Sequence, residues 1–288
     1  MSEFLQYIFS GVTVGFIYAL VGLGFTVIYN SSKIINFSQG EFIMTGGMIS
    51  VFAFYANMPL WMAFIVAIVG SSALGILLYK LTSLSKNASV LSLIILTLGY
   101  AIFIRGLTQV VFDKQIHILP PIGNTIISIG GAVISVQAIL VIVVSLCLVL
   151  GLYILFNKTK IGKAMIATSE NPYAAKLMGI NIRNILIINF GISAGISAIG
   201  GIVLTPITST YYEIGVMLGL KGFCAAIIGG IGNPFGAVFG GVILGILESL
   251  MAGYISSEYK DAFAFVLLLV ILIFFPSGLF SRHKSNRV

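Results

Sequence analysis

Four ionisable side chains stand inside stretches that are otherwise apolar: Glu41, Arg105, Lys221 and Glu248. A charge held in hydrocarbon is costly, and in membrane proteins such residues commonly serve ion or proton relays. Long side chains near the end of an apolar stretch can instead reach the interface with their polar heads. Glu41 begins its stretch, Lys221 comes early in its own, and Arg105 and Glu248 come late, so position alone places all four near an interface. So few internal charges argue against coupling to an ion gradient and leave the energy source to a partner. The sequence has no G-x-x-x-x-G-K-[ST] nucleotide loop, no H-E-x-x-H and no Cys/His cluster with metal spacing. No catalytic residue, metal or cofactor is therefore expected. His117 and His283 lie in a loop and at the tail, and Cys147 and Cys224 are isolated in apolar runs, which suits packing.

The elements that carry these residues are membrane segments. Of the 288 residues 59% are hydrophobic and 8% charged, whereas soluble domains average about 45–50% and about 25%. Nine apolar stretches approach the roughly 20 residues needed to cross a bilayer: residues 5–29, 39–57, 60–80, 89–112, 131–156, 184–205, 217–231, 234–253 and 262–280. The expected fold class is all-α, a polytopic transmembrane bundle of eight or nine crossings. It forms one domain over residues 1–288, set in the lipid bilayer, and nothing points to nucleic acid. The first stretch lacks a basic leader and a small-residue cleavage site, so it reads as a retained membrane segment. Residues 217–231 are short and contain Lys221, and are expected to cross as a shortened or broken helix buried by neighbours. Residues 30–38 are a loop or the break in a discontinuous helix. Residues 113–130, with Pro120, Pro121, Gly123 and Asn124, read as a turn-rich loop.

The one long polar interval, residues 157–183, carries Lys158, Lys160, Lys163, Lys176 and Arg183 against the single acid Glu170. If it is cytoplasmic, Lys33, Lys80, Lys86, Arg282, Lys284 and Arg287 fall inside as well, eleven of the fifteen basic residues. Lys114 and Lys260 fall outside with Glu3, Asp113, Glu213, Glu258 and Asp261. That bias predicts a cytoplasmic C-terminus. Within the interval, Asn171 suits an N-cap, Pro172 the first helical position and Gly179 the left-handed residue past the end. A helix over residues 172–178 follows. Its polar side offers Glu170, Asn171 and Lys176, and Tyr173, Ala174, Ala175, Leu177 and Met178 give a small apolar surface. About two turns are marginal alone and need a docking partner, so this is read as a contact for a cytoplasmic protein.

Two further features stand out. Glycines at a spacing of four, Gly11/Gly15 and Gly191/Gly195, let helix backbones approach. Gly229, Gly230, Gly232 and Gly236 are dense enough to suit a tightly packed core beside a translocation path. Between residues 36 and 41, Asn36 and Ser38 are good N-cap types, and Glu41 falls in the first turn, where a carboxylate suits the helix dipole. The block is either a capped helix start or a polar gate of Asn36, Gln39 and Glu41.

The sequence resembles, along its whole length, the permease subunits of branched-chain amino acid ABC importers of the Liv type. The residues that carry the likeness are 22–29, GLGFTVIY, running into 35–42, INFSQGEF, where relatives generally have I-N-F-A-H-G-E-F. Next come 162–167, GKAMIA, with 170–175, ENPYAA, and 178–180, MGI; then 225–237, AAIIGGIGNPFGA. Gln39 stands where the family has histidine, so no histidine role carries over, while the frame of Asn36, Phe37, Gly40 and Glu41 matches. The resemblance implies a type II importer fold in a bacterial cell membrane. It implies that residues 170–179 dock on the ATPase. It also implies a second permease subunit in a heterodimer, two cytoplasmic ATPase subunits and an extracytoplasmic substrate-binding protein. Permeases for ribose-type sugars or nucleosides share the second and third motifs. An ion-coupled carrier and a non-transporting scaffold are the readings from other classes.

Overall fold

The computed structural model describes residues 2–84, 89–123, 125–275 and 277–280. Lys86, Asn124, Arg282, His283, Lys284 and Arg287, used above, lie outside the described residues. The apolar stretches fold as helices: α1 (Ser2–Ser32), α2 (Gln39–Tyr55), α3 (Leu60–Leu84) and α4 (Val90–Val111) precede a hairpin of β1 (Ile126–Ile129) and β2 (Ala132–Ser135). Then follow α5 (Val136–Lys158), α6 (Lys160–Glu170), α7 (Pro172–Leu177), α8 (Ile182–Thr208), α9 (Ile214–Gly229), α10 (Pro234–Tyr254) and α11 (Lys260–Phe274).

Six of these, α1, α3, α4, α5, α8 and α10, are long and apolar enough to cross a membrane. Helices α2, α9 and α11 have 17, 16 and 15 residues. At about 1.5 Å per residue they reach only about 22–26 Å, short of a hydrocarbon core of about 30 Å. Helices α2 and α9 are sheathed by longer neighbours, which suits shortened segments in a bundle.

The centre is a pair of antiparallel helices, α1 and α10. Gly11 meets Gly245 and Ile246, and Gly15 meets Gly241 and Val242, backbone against backbone. Small residues at that spacing allow the approach without a side chain to separate the helices. Helix α8 runs antiparallel to α1, with Ser193 bonded to the Gly24 carbonyl and Gly200 against Leu20. It also runs antiparallel to α3, with Gly195 against Ile68 and Gly191 against Ile76. The outer helices α3, α4 and α5 expose Val69, Ile95, Ile102 and Leu150, as suits contact with lipid.

The all-α expectation needs one correction. Residues 126–135 form a two-stranded antiparallel hairpin, with Ile126 opposite Ser135 and Ile129 opposite Ala132. Gly130 and Gly131, at φ +61° and +82°, make the two-residue turn that suits a twisted hairpin. The β-branched run IISIGGAVIS carries that signal, but its second half merges with the apolar stretch read as 131–156. The helix proper begins at Val136, where the Ser135 hydroxyl accepts from the Ala138 amide. The segment before the hairpin is tied down as well. His117 bridges to Thr210, and the Tyr55 hydroxyl donates to the Ile118 carbonyl.

Candidate functional site

After α1 the chain reverses at Lys33, whose φ is +57°, and runs back so that Gln39, the first residue of α2, lies against Gly24 and Ser197. The interval is thus a tight reversal that buries Asn36 and Ser38. Asn36 Oδ1 accepts from the Ser38 amide at 3.0 Å, and its Nδ2 donates to Gln39 Oε1 at 3.2 Å. Gln39 Nε2 donates to Ser197 Oγ at 2.5 Å and to the Ser193 carbonyl at 3.3 Å. The Phe37 ring packs 5.5 Å from that of Phe223. Ser38 occupies the cap position but makes no capping bond. Its hydroxyl donates to the Thr97 carbonyl at 2.6 Å instead, because the start of α2 is buried against α4. The capped-start reading of Ser38 is corrected accordingly.

Glu41 does not reach solvent: it is 2% exposed. Its Oε1 accepts from Arg105 Nη2 at 2.6 Å, and the Arg105 side chain is 29% exposed. A guanidinium and a carboxylate can pair through two parallel bonds, but here they share one. Glu41 Oε2 and Arg105 Nε are buried and have no hydrogen-bond partner among the described residues. A Cβ at Gly215 would lie 2.8 Å from Glu41 Oε2, and one at Gly40 would overlap the Gly215 carbonyl. Glycine at both places lets the starts of α2 and α9 meet backbone to backbone. Tyr212, on the link before α9, has its hydroxyl pushed up by a hydrogen bond to Glu213, with the Arg105 charge opposing. That link therefore lies within electrostatic reach of the guanidinium.

Lys221 and Glu248 do not carry their heads to solvent either, each being 5% exposed. Lys221 Nζ reaches Glu248 Oε1 at 2.6 Å, Asp261 Oδ1 at 2.5 Å and the Tyr18 hydroxyl at 3.1 Å. The Tyr18 hydroxyl donates to Glu248 Oε2 at 2.9 Å. The ammonium meets three oxygens, and α1, α9, α10 and α11 are joined at one point. The sequence hinted at this through opposite charges in neighbouring stretches, but hydropathy gives no register between helices. Snorkelling fails here because the heads are turned toward one another, away from the surface.

The glycine series forms the turn from α9 to α10. Gly230 and Gly232 have φ of +92° and +98°, and Gly229 and Gly236 touch through their backbones. Asn30 Nδ2 donates to the Gly232 carbonyl at 2.8 Å, and Asn233 Nδ2 donates to the Phe280 carbonyl at 3.0 Å.

At the polar interval, Asn171 Oδ1 accepts from the Ala174 amide at 3.0 Å, and α7 ends before Gly179 at φ +80°. Ala175 is buried, whereas Tyr173, Ala174, Leu177 and Met178 face outward. Glu170 ends α6. Helix α6 has no counterpart in the sequence reading, although Thr159 caps it by accepting from the Gly162 amide and Met165 anchors it at 0% exposure.

A helical bundle with short buried helices, charges paired between its apolar helices and a two-helix polar unit defines a multi-pass membrane protein. Residues 7–272 match the family described as "Branched-chain amino acid transport system / permease component", and the chain belongs to it. It is 34% identical to the high-affinity branched-chain amino acid transport system permease protein LivH of Escherichia coli K12, over 99% of this chain and 98% of that one. It is 32% identical to BraD of Pseudomonas aeruginosa over the same shares. A probable branched-chain amino acid transport permease protein LivH of Methanocaldococcus jannaschii is 28% identical over 90% of this chain and 87% of its own.

Proposed function

We propose that this chain is the membrane-spanning permease subunit of an ABC importer that moves branched-chain or related hydrophobic amino acids into the cytoplasm. Family membership along nearly the whole chain carries the reading. Residues 1–288 act as one transmembrane domain in a bacterial cell membrane. The antiparallel order of α1, α8, α10 and α3 supports nine traversals, with α2, α9 and α11 crossing as short helices. With residues 157–183 inside, the N-terminus is external and the C-terminus cytoplasmic. The partners are two ATPase subunits, a second permease subunit in a heterodimer and an external substrate-binding protein.

In this reading residues 170–179 are the ATPase contact. The exposed Tyr173, Leu177 and Met178 on a capped helix support it, since a short helix with an uncovered apolar surface needs a partner. The Asn36, Phe37, Gln39 and Glu41 block and the Gly229, Gly230, Gly232 and Gly236 turn line or brace the path.

Ala175 is packed inward, so the clean test replaces the outward pair, Tyr173→Asp with Leu177→Asp. The double variant should insert normally but lose ATPase co-purification and binding-protein-stimulated ATP hydrolysis. Both remaining at the native level would refute the contact assignment.

A further inference from the structure

The outward side of α5 runs through Val143, Leu146, Leu150 and Ile154, exposed residues at the spacing of one helix face. Lys158 continues that face one turn past Ile154, at the end of α5. Helix α6 then adds Lys160 and Lys163, and all three lysines are exposed. Among the described residues none of the three forms an ion pair, and the chain carries no acid from residue 114 to residue 169. Aromatic rings mark the same level. Tyr153, one turn before Asn157, packs edge-on to Phe235 at 5.5 Å, and both are exposed; amphipathic rings such as that of tyrosine collect at the membrane–water boundary. Helix α6 buries Gly162 and Met165 and leaves Ile161 and Ile166 exposed, while Lys163, two positions before Met165, lies on the opposite face. A helix with exposed aliphatic residues beside lysines is suited to lie on a bilayer surface.

We propose that Lys158, Lys160 and Lys163 form a contact for the headgroups of anionic phospholipids in the cytoplasmic leaflet. Anionic headgroups attract basic residues held near that surface, over a range of about 10 Å at 0.1 M salt. Lysine stems cover apolar surface while their heads reach the phosphate level. Lys158 leaves the lipid-facing stripe of α5 itself, so the patch adjoins acyl chains as well as water, and that continuity favours a lipid over a soluble phosphate. The surface read above as the ATPase contact is a separate one: it lies past Asn171 and is apolar where this patch is basic. The two are nevertheless joined, because Asn171 both ends α6 and caps α7. Holding α6 on the leaflet fixes the base from which α7 projects. The leaflet named here rests on the inward placement of residues 157–183 proposed above.

The test uses the complete complex, both permease subunits with the ATPases and the binding protein, in phosphatidylcholine vesicles that contain phosphatidylglycerol. The probe is phosphatidylglycerol with a photoactivatable diazirine beside its headgroup, and phosphatidylcholine carrying the same group is the reference. In the wild type the ratio of the two labels should be higher at residues 153–166 than at residues 60–66, an apolar stretch without a lysine. One basic residue near an anionic surface is worth about a fivefold preference. Lys158→Gln, Lys160→Gln and Lys163→Gln together should therefore lower the ratio at residues 153–166 by about tenfold or more. Lys158→Arg, Lys160→Arg and Lys163→Arg together should keep it, as should Lys114→Gln with Lys260→Gln. A wild-type ratio no higher than at residues 60–66, or one unchanged in the triple glutamine variant, would overturn the inference. Loss of ATPase co-purification in that variant with an unchanged ratio would assign the lysines to the ATPase instead. Abolition of the preference by inorganic phosphate at constant ionic strength would assign them to the free anion. The placement is read separately, in a chain with Cys147→Ala and Cys224→Ala: a membrane-impermeant maleimide should label Ser169→Cys in inverted vesicles only. Labelling from outside intact cells would overturn the inward placement and the leaflet named with it, whatever the vesicle ratio.

Discussion

Among the described residues the bundle holds two buried ion-pair clusters, and they are built to opposite specifications. Around Lys221 the ammonium meets three oxygens, across four helices, with Tyr18 closing the ring on Glu248. Around Glu41 one bond is made and two polar atoms are left over. A saturated network ties helices together firmly; the unsaturated one, at the meeting of two short helices, ties them through a single ion pair. Helix α9 belongs to both, with Gly215 against Glu41 and Lys221 in the ring. Its middle is thereby held in the ring while its first turn packs on Glu41.

The comparison is broken most forcefully at the saturated cluster. Lys221→Met leaves Glu248 and Asp261 facing each other without a cation, and losing one partner of a buried pair typically destabilises by about 3–5 kcal/mol. The thermal midpoint of the purified permease should fall accordingly. Adding Glu248→Gln should recover much of the loss. A midpoint within error of wild type in Lys221→Met would show that the ring does not hold the bundle.

Next in size is the α9–α10 turn. Leu at Gly236 would be driven into the Gly229 backbone. Uptake should fall far more than with Leu at Gly123, whose added carbon would meet only the Val136 side chain at 3.1 Å. Equal uptake in the two variants would make the glycine series incidental.

A finer effect comes from Tyr18→Phe, which removes a donor to Glu248 and an acceptor for Lys221 while leaving the ion pairs. A hydrogen bond to a charged group contributes about 1.5–3 kcal/mol, so the midpoint should drop by less than in Lys221→Met, with uptake per folded complex unchanged.

Much of the frame was legible because hydropathy reports burial in lipid directly. The nine apolar stretches coincide with nine helices, and the Asn171, Pro172 and Gly179 signals set both ends of α7. What was not legible depends on register between helices. Nothing in the sequence says that Lys221 meets Glu248, or that Arg105 reaches Glu41 across 64 positions. Thr97, Ser193 and Ser197 looked like ordinary small residues in apolar runs, yet they receive the Asn36–Gln39 reversal. The hairpin was hidden because β-branched residues are also good membrane-helix residues.

The smallest effect belongs to the Asp113–His117 clasp. Asp113 is held below its ordinary value of 3.8 by a hydrogen bond from His117 and one from the Gln115 amide. A depressed carboxyl contributes stability that is present above the unfolded value of about 4 and lost as pH falls through the lower folded value. Asp113→Asn should therefore leave a slightly flatter dependence of the thermal midpoint on pH below about 4, and an unchanged one above it. An unchanged profile below that point would show that the clasp contributes nothing.

The central claim is that one cluster holds the protein together and the other belongs to the solute path proposed above. It is tested most directly by measuring thermal midpoint and ATP-driven leucine uptake together, per assembled complex, in Glu41→Gln and in Lys221→Met with Glu248→Gln. The account predicts that Glu41→Gln loses about tenfold or more of uptake with only a modest shift in midpoint. The double variant should instead keep a residual loss of midpoint, smaller than that of Lys221→Met alone, while each folded complex transports near the native rate. Glu41→Gln transporting like wild type in a normally assembled complex would contradict it.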